Sequence, residues 1–270
     1  MLRSMYSGIS GMKNFQTKLD VIGNNIANVN TYGFKKGRVT FKDAISQSIS
    51  GASGPVQGGR GGTNPTQVGL GSTLATIDTV DTQSSMQTTG RTLDLAIDGD
   101  GYFTVKDGAG NIFYTRAGNF YLDEDGSLVT GDGFYVQQLK GNTLENIKID
   151  SNVYASFSIN SAGKIIAINK DNTQPNLEVD IALTKFNNAS GLTKVGGNMF
   201  QKSENSGDPQ NGIAGTDGFG SVNAGYLEMS NVDLSEEFTE MIVAQRGFQA
   251  NTRIITTSDE ILQELINLKR

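Results

Sequence analysis

Hydrophobic residues recur at alternating steps of four and three through the last forty positions, Asn231 to Arg270. Counted from Leu234, the steps fall on Leu234, Phe238, Met241, Gln245, Phe248, Thr252, Ile255, Asp259, Leu262 and Ile266. Most are apolar, and the period is that of a coiled-coil seam. Asp233 stands where a helix cap belongs, and Glu236 three residues on completes a capping box. No proline interrupts the run, and Gly247 is its only glycine. A helix of ~36 residues is ~54 Å long at about 1.5 Å per residue, whereas helices average about 11–12 residues. A seam of that length needs a partner. The start of the chain supplies one, because Leu2, Met5, Ile9, Met12, Gln16, Leu19, Gly23 and Ile26 keep the same rhythm. The two termini are expected to pair as one coiled coil, with everything between them a long excursion.

The first helix is expected from Leu2 to about Asn28. Ser4, Ser7, Gly8, Ser10 and Gly11 weaken it in isolation, by about 0.5–1 kcal/mol per Gly against Ala, but let a second helix approach closely. Asn24, Asn25, Asn28 and Asn30 cluster at its end, where Asn side chains bond free backbone groups. Thr31 to Phe34 reads as a turn. From Lys35 to about Thr76 the chain is polar and glycine-rich, with Phe41 and Ile45 an i,i+4 apolar pair in a short helical or extended piece. Gly51, Gly54, Gly58, Gly59, Gly61 and Gly62 superficially resemble a phosphate loop. No Gly-Lys-Ser/Thr follows and no strand precedes them, so a flexible connector or intersubunit arm is the better reading.

Gly69 to Gly90 reads as extended. Thr92–Ile97 then alternates as a half-buried strand does, Asp98-Gly-Asp-Gly101 is expected to turn, and Tyr102–Val105 to return beside it. Short strands follow at about ten-residue spacing (112–116, 120–122, 127–129, 134–139, 147–149, 157–159, 165–168 and 179–186). Turns fall at Asp107-Gly108, Asp125-Gly126, Asp132-Gly133 and Ala162-Gly163, a pattern of antiparallel sandwich or barrel type. The fold class expected is α+β: paired terminal helices (residues 1–30 and 230–270), a connector (31–75) and a β-rich outer domain (76–229).

Composition narrows the chemistry. With 34 Gly and only 36% hydrophobic residues among 270, several small layers are favoured over one large core. The net charge of −6 comes without a basic block, which argues against a nucleic-acid partner. No run of about 18 apolar residues is present, so membrane insertion is not expected. Ser, Gly, Lys and Gln break up any apolar stretch of a cleavable signal peptide near the N-terminus. The chain has no Cys, His or Trp, which excludes His-based triads, thiol nucleophiles and imidazole or thiolate zinc sites. Asp98, Asp100, Asp123 and Asp125 could offer oxygen ligands to calcium, but they fit no twelve-residue loop closed by Glu, and Asp-Gly is a common hairpin turn. Nothing sets two carboxylates across a cleft for glycoside hydrolysis. No catalytic residue, metal or cofactor is expected. A secreted enzyme or carbohydrate-binding protein built on the β-domain is the reading from another class. It requires a monomer with ordered termini and an activity that survives their removal.

Three stretches carry a resemblance. "LDVIGNNIANVNTYGFK" at 19–35, "GRTLDLAIDGDGYF" with "YTRAGNFYLDEDGSLVTGDGF" in the middle, and "SNVDLSEEFTEMIVAQRGFQANTRIITTSDEILQELINLKR" at the end resemble the signatures of bacterial flagellar rod and hook proteins. The resemblance covers almost the whole chain. It implies a structural subunit, exported through the type III apparatus and assembled into a helical tube outside the cell, with the terminal helices as inner layer. It further implies that Leu2, Met5, Ile9, Met12, Leu19, Ile26, Leu234, Phe238, Met241, Phe248, Ile255, Leu262 and Ile266 form the assembly interface, and that Phe41 with Ile45 resembles the signal read by the export gate. Within the family, "SNVDLSEEFTEMIVAQR", "INLKR" and "TGRTLDLAI" look more like the flexible hook than the rod. Its implied partners are copies of itself, the distal rod protein, the hook cap and the hook–filament junction protein. The length is close to that of the distal rod protein, and longer hook proteins carry an additional outer β-domain absent here. A short hook protein, a flexible universal joint that passes motor torque from rod to filament, is the expectation, with the distal rod protein, a stiff drive shaft, as the alternative.

Overall fold

A computed structural model of the chain describes residues 2–55, 61–141, 143–150, 153–169, 177–216 and 218–268. Gly58 and Gly59 of the glycine-rich run and the side chain of Leu2 lie outside the described residues. The architecture is α+β, with two long helices and a mainly antiparallel β domain. The chain divides into two compact units, one of residues 1–27, 37–79 and 233–270 and the other of 28–36 and 80–232. Residues 31–75, read from the sequence as a connector, are therefore shared between them.

In the first unit, helix α1 (Leu2–Ala27) runs antiparallel to helix α2 (Leu234–Leu268). The 35 residues of α2 make it about 52 Å long. Asp233 starts it: the amides of Ser235 and Glu236 donate to Asp233 Oδ1 at 2.8 and 3.4 Å, satisfying donors that the first turn leaves open. Strands β1 (Gly37–Asp43) and β4 (Ser72–Thr79) form an antiparallel hairpin from Gly37 opposite Thr79 to Asp43 opposite Ser72. Strands β2 (Ser46–Ser50) and β3 (Thr66–Gly69) extend it. The hairpin base packs on α1. Asn14 Nδ2 donates to Ser72 Oγ at 2.8 Å, Phe15 and Phe41 meet edge to face at 6.1 Å, and a Cβ on Gly71 would collide with Ser10.

The second unit is mainly β, with one short 3-10 turn at Ala189–Gly191 among its described residues. Its main sheet centres on Tyr102–Lys106, which pairs with Ile112–Thr115, Tyr135–Lys140 and Ala182–Lys185, all antiparallel. The core gathers the fully buried side chains of Leu95, Ile97, Phe103, Phe120, Leu128, Val136, Ile147, Ile165, Ile181, Leu183 and Val222. Four expected hairpin turns are present: residues 107–111, 123–127, 130–134 and 160–164 close with backbone hydrogen bonds of 2.9–3.0 Å. The turn at Asp98–Gly101 does not make a hairpin. Leu95–Asp98 pairs with Ser221–Ala224 instead of Tyr102–Lys106. Gly99 and Gly101 take φ of 117° and 140°, which L side chains rarely adopt. Gly220 packs against Gly99 so closely that a Cβ on Gly99 would stand 2.9 Å from its Cα. The glycines permit a crossover between layers where a two-strand turn was expected.

Candidate assembly surface

The contact between α1 and α2 follows the expected rhythm in one of its two rows and departs by one residue in the other. Met241, Phe248, Ile255 and Leu262 are partly buried, as are Met5, Met12, Leu19 and Ile26. The alternating positions are filled by Glu237, Ala244, Asn251 and Ser258 on α2, and by Gly8, Phe15 and Ile22 on α1. Gln245 and Asp259 face outward, as do Leu234, Phe238, Ile266 and, on α1, Ile9. Thr252 is exposed too, but its hydroxyl donates across the pair to Met12 Sδ at 3.3 Å.

Small residues account for the shift. A Cβ on Gly8 would touch Ile255 Cγ1 at 3.4 Å, one on Gly11 would press the Asn251 amide at 2.9 Å, and one on Gly247 would stand 2.6 Å from Phe15 Cζ. Close approach at Gly8, Gly11, Ala244 and Gly247 replaces apolar bulk. Polar pairs complete the seam: Lys18 Nζ meets Glu240 Oε2 at 2.9 Å, and Asn25 Nδ2 donates to Glu237 Oε2 at 3.1 Å.

The helices therefore keep their second apolar set on the surface. Leu234, Phe238, Ile242 and Val243 cluster on the outer side of the first turns of α2. Ile254, Ile261, Leu265, Ile266 and Leu268 follow along the rest, with Val243 and Ile242 each 58% exposed. The hairpin adds Ile45, Ile49 and Ile77. Of the residues read as an export signal, Ile45 is 83% exposed, whereas Phe41 shares its ring contact with Phe15. These exposed apolar side chains are the candidate assembly surface. None of the described helices is long and apolar enough to cross a membrane.

The second unit holds a buried charge cluster that the sequence reading did not find. Glu228 Oε1 accepts from Lys35 Nζ at 2.7 Å and from the Ser84 amide at 3.2 Å, while Oε2 accepts from Arg116 Nη1 at 3.3 Å. The Lys35 and Glu228 side chains are fully buried. Lys35 Nζ also donates to the Thr82 carbonyl at 2.8 Å, and the Arg116 guanidinium lies over the Tyr102 ring. The Tyr102 hydroxyl donates to Asp81 Oδ2 at 2.6 Å. Burial first, and then the Asp81 carboxylate, hold that hydroxyl far above its ordinary ionisation range. The cluster joins segments far apart in sequence, and Gly33 donates its amide to the Glu228 carbonyl at 2.9 Å. Gly33 has a φ of 68°, and a Cβ there would strike the backbone of Arg116 and Ala117 at 2.7 Å. A lysine beside a Gly-Phe turn in a polar stretch was the only hint available in the sequence. Asp98, Asp100, Asp123 and Asp125 gather into no metal-binding group among the described residues.

Three family models match separate stretches of the chain. Residues 5–35 match the family described as "Flagella basal body rod protein", residues 96–167 "Flagellar hook protein FlgE/F/G D1 domain", and residues 223–268 "Flagellar basal body rod FlgEFG protein C-terminal". Among individual relatives, the flagellar basal-body rod protein FlgG of Bacillus subtilis (strain 168) is 60% identical over the whole of both chains. In Borreliella burgdorferi, FlgG is 37% identical and the flagellar hook protein FlgE 33% identical, each over the whole of both chains. The alignment with that hook protein runs over 444 positions, far beyond the 270 residues of this chain. The hook relative thus carries a large segment without a counterpart here. The chain belongs to the flagellar hook and basal-body rod protein family, a structural component of the bacterial flagellum.

Proposed function

We propose that the chain is the distal rod subunit, which assembles into the stiff tubular drive shaft of the basal body. The observation that carries this reading is the 60% identity to a basal-body rod protein along the full length of both chains. The hook expectation rested on "SNVDLSEEFTEMIVAQR", "INLKR" and "TGRTLDLAI". Chain length supports the rod reading, since the rod alignment spans 276 positions and the hook alignment 444.

The exposed apolar residues of α2 and of the hairpin then contact other copies. Contacts between unlike surfaces that do not close into a ring generate a helical tube, and covering these side chains supplies the hydrophobic driving force. Its partners are copies of itself along the shaft and the hook subunit at the distal end. The test is to image basal bodies from cells lacking the protein. A rod that stops short, with no hook, fits the proposal. A complete rod that lacks only the hook would show it to be the hook subunit.

A further inference from the structure

We infer that Asn25 and Asn231 are paired mechanical anchors, which fix the chain on the two sides of its passages between the units and so set the stiffness of the assembled tube. The chain passes from one unit to the other after residues 27, 36, 79 and 232. The covalent path from the helical unit to the β unit runs through these four peptide links, so how firmly their flanking residues are held decides how much slack each link has.

Within the β unit, Asn231 gathers the segments that lead to three of the passages. Its Oδ1 accepts the Lys36 amide at 2.7 Å, and its Nδ2 donates to the Val80 carbonyl at 2.8 Å and to Thr82 Oγ1 at 3.1 Å. The Val80 amide closes the ring by donating to the Lys36 carbonyl at 2.9 Å, and the Asn231 amide donates to the Phe34 carbonyl at 3.4 Å. Within the helical unit, the buried Asn25 does the corresponding work. Its Oδ1 accepts the Gly37 amide at 2.9 Å, its Nδ2 donates to the Gly37 carbonyl at 2.9 Å, and the same Nδ2 reaches Glu237 Oε2. Gly37 is in turn opposite Thr79 in the hairpin.

Lys36 and Gly37 are consecutive, so two adjacent amides are held by two asparagines that lie 206 positions apart in the chain by their numbering, one in each unit. A carboxamide suits this because it is both donor and acceptor in a fixed plane and can bridge two backbone segments at once. Hydrogen-bond networks shielded from water, as at the buried Asn25 and the partly buried Asn231, rigidify what they join.

The inference rests on the tube-forming function proposed above. It is tested by the bending persistence length of tubes grown from the full chain and imaged by electron cryomicroscopy. Asn231→Ala and Asn25→Ala are each expected to give tubes with a several-fold shorter persistence length than the parent. Asn231→Asp, which keeps the acceptor for Lys36 but loses the donors to Val80 and Thr82, is expected to fall between. Thr104→Val is the control for general destabilisation. It breaks the buried Thr104–Thr184 hydroxyl pair, 2.6 Å apart in the β unit, and is expected to lower the melting temperature without softening the tubes. Alanine variants as stiff as the parent, or equal softening by Thr104→Val, would overturn the inference. Should an alanine variant fail to form tubes alone, its co-polymers with parent subunits must soften as its fraction rises, and an unchanged persistence length would count equally against it. Because each readout is a ratio to the parent, curved parent tubes would sink the rod reading while leaving the anchors to be judged separately.

Discussion

Phe15 and Gly247 share one space between the terminal helices. The Phe15 ring occupies the position into which any side chain at 247 would grow, with Cζ 2.6 Å from where a Cβ would be. A glycine in the middle of a 35-residue helix costs roughly 1 kcal/mol of helix propensity against alanine. Admitting the ring offsets that cost and sets the register between α1 and α2.

Gly247→Leu is therefore expected to separate the helices and abolish polymerisation while the β unit stays folded. Adding Phe15→Ala reopens the space. In a double-mutant cycle on thermal unfolding, the pair should couple by about 0.5–3 kcal/mol. Independent, additive effects would show that the two residues do not set the register.

The inward and outward faces of α2 are expected to respond differently. Ile255→Asp places a charge against Gly8 of α1 and should lower the helix content of the first unit as well as assembly. Phe238→Asp, on the outer face, should leave the melting curve of the unassembled chain within about 0.5 kcal/mol of the parent and still prevent tube growth, measured by sedimentation and negative-stain imaging. Normal tubes from Phe238→Asp would remove that row from the assembly surface.

Glu228→Ala would leave Lys35 and Arg116 buried without their shared carboxylate. Breaking a buried ion pair from one side costs about 3–5 kcal/mol, so this substitution should destabilise the β unit by that order in denaturant unfolding. A loss under about 1 kcal/mol, the range of a surface ion pair, would mean that water reaches the cluster.

Alkaline pH tests the Tyr102 environment. Its hydroxyl ionises well above the ordinary value in the folded chain and at about 10 when unfolded. The folded state therefore holds a proton that the unfolded state releases. This contribution is fully present below pH ~10 and is lost as pH rises beyond it, at about 1.4 kcal/mol per pH unit. Tyr102→Phe should remove that part of the slope, whatever it does to stability at neutral pH through the lost Asp81 contact. An unchanged alkaline slope would contradict the burial of the hydroxyl.

The sequence showed its architecture well where the chemistry is periodic or locally encoded. Asp233 marked the start of α2, and the Asp-Gly pairs at 107, 125 and 132 marked hairpins, because capping and turn geometry depend on a few adjacent residues. The helical seam was half legible. Met241, Phe248 and Ile255 advertise themselves by hydrophobicity, and Gly8 and Gly11 stood out as places for close approach, but Ala244 and Gly247 also work by being small, and an apolar count passes over them in favour of Phe238. Residues 31–75 looked like a connector because Ser, Thr, Gln and Gly give the two-stranded ribbon at 37–79 little apolar alternation. Lys35, Arg116 and Glu228 could not be connected in advance, since a pairing across 193 positions leaves no trace in local pattern. The C-terminal stretch that pointed to the hook falls in a region matched by one family model described for FlgEFG proteins together, so it does not separate hook from rod.

Imaging the polymer of the purified full-length chain by electron cryomicroscopy tests the central claim most directly. The account predicts straight, stiff tubes in which α1 and α2 pair within each subunit and the row from Leu234 to Val243 is covered by neighbouring subunits. Curved, readily bent tubes, or tubes in which that row stays open to solvent, would contradict it.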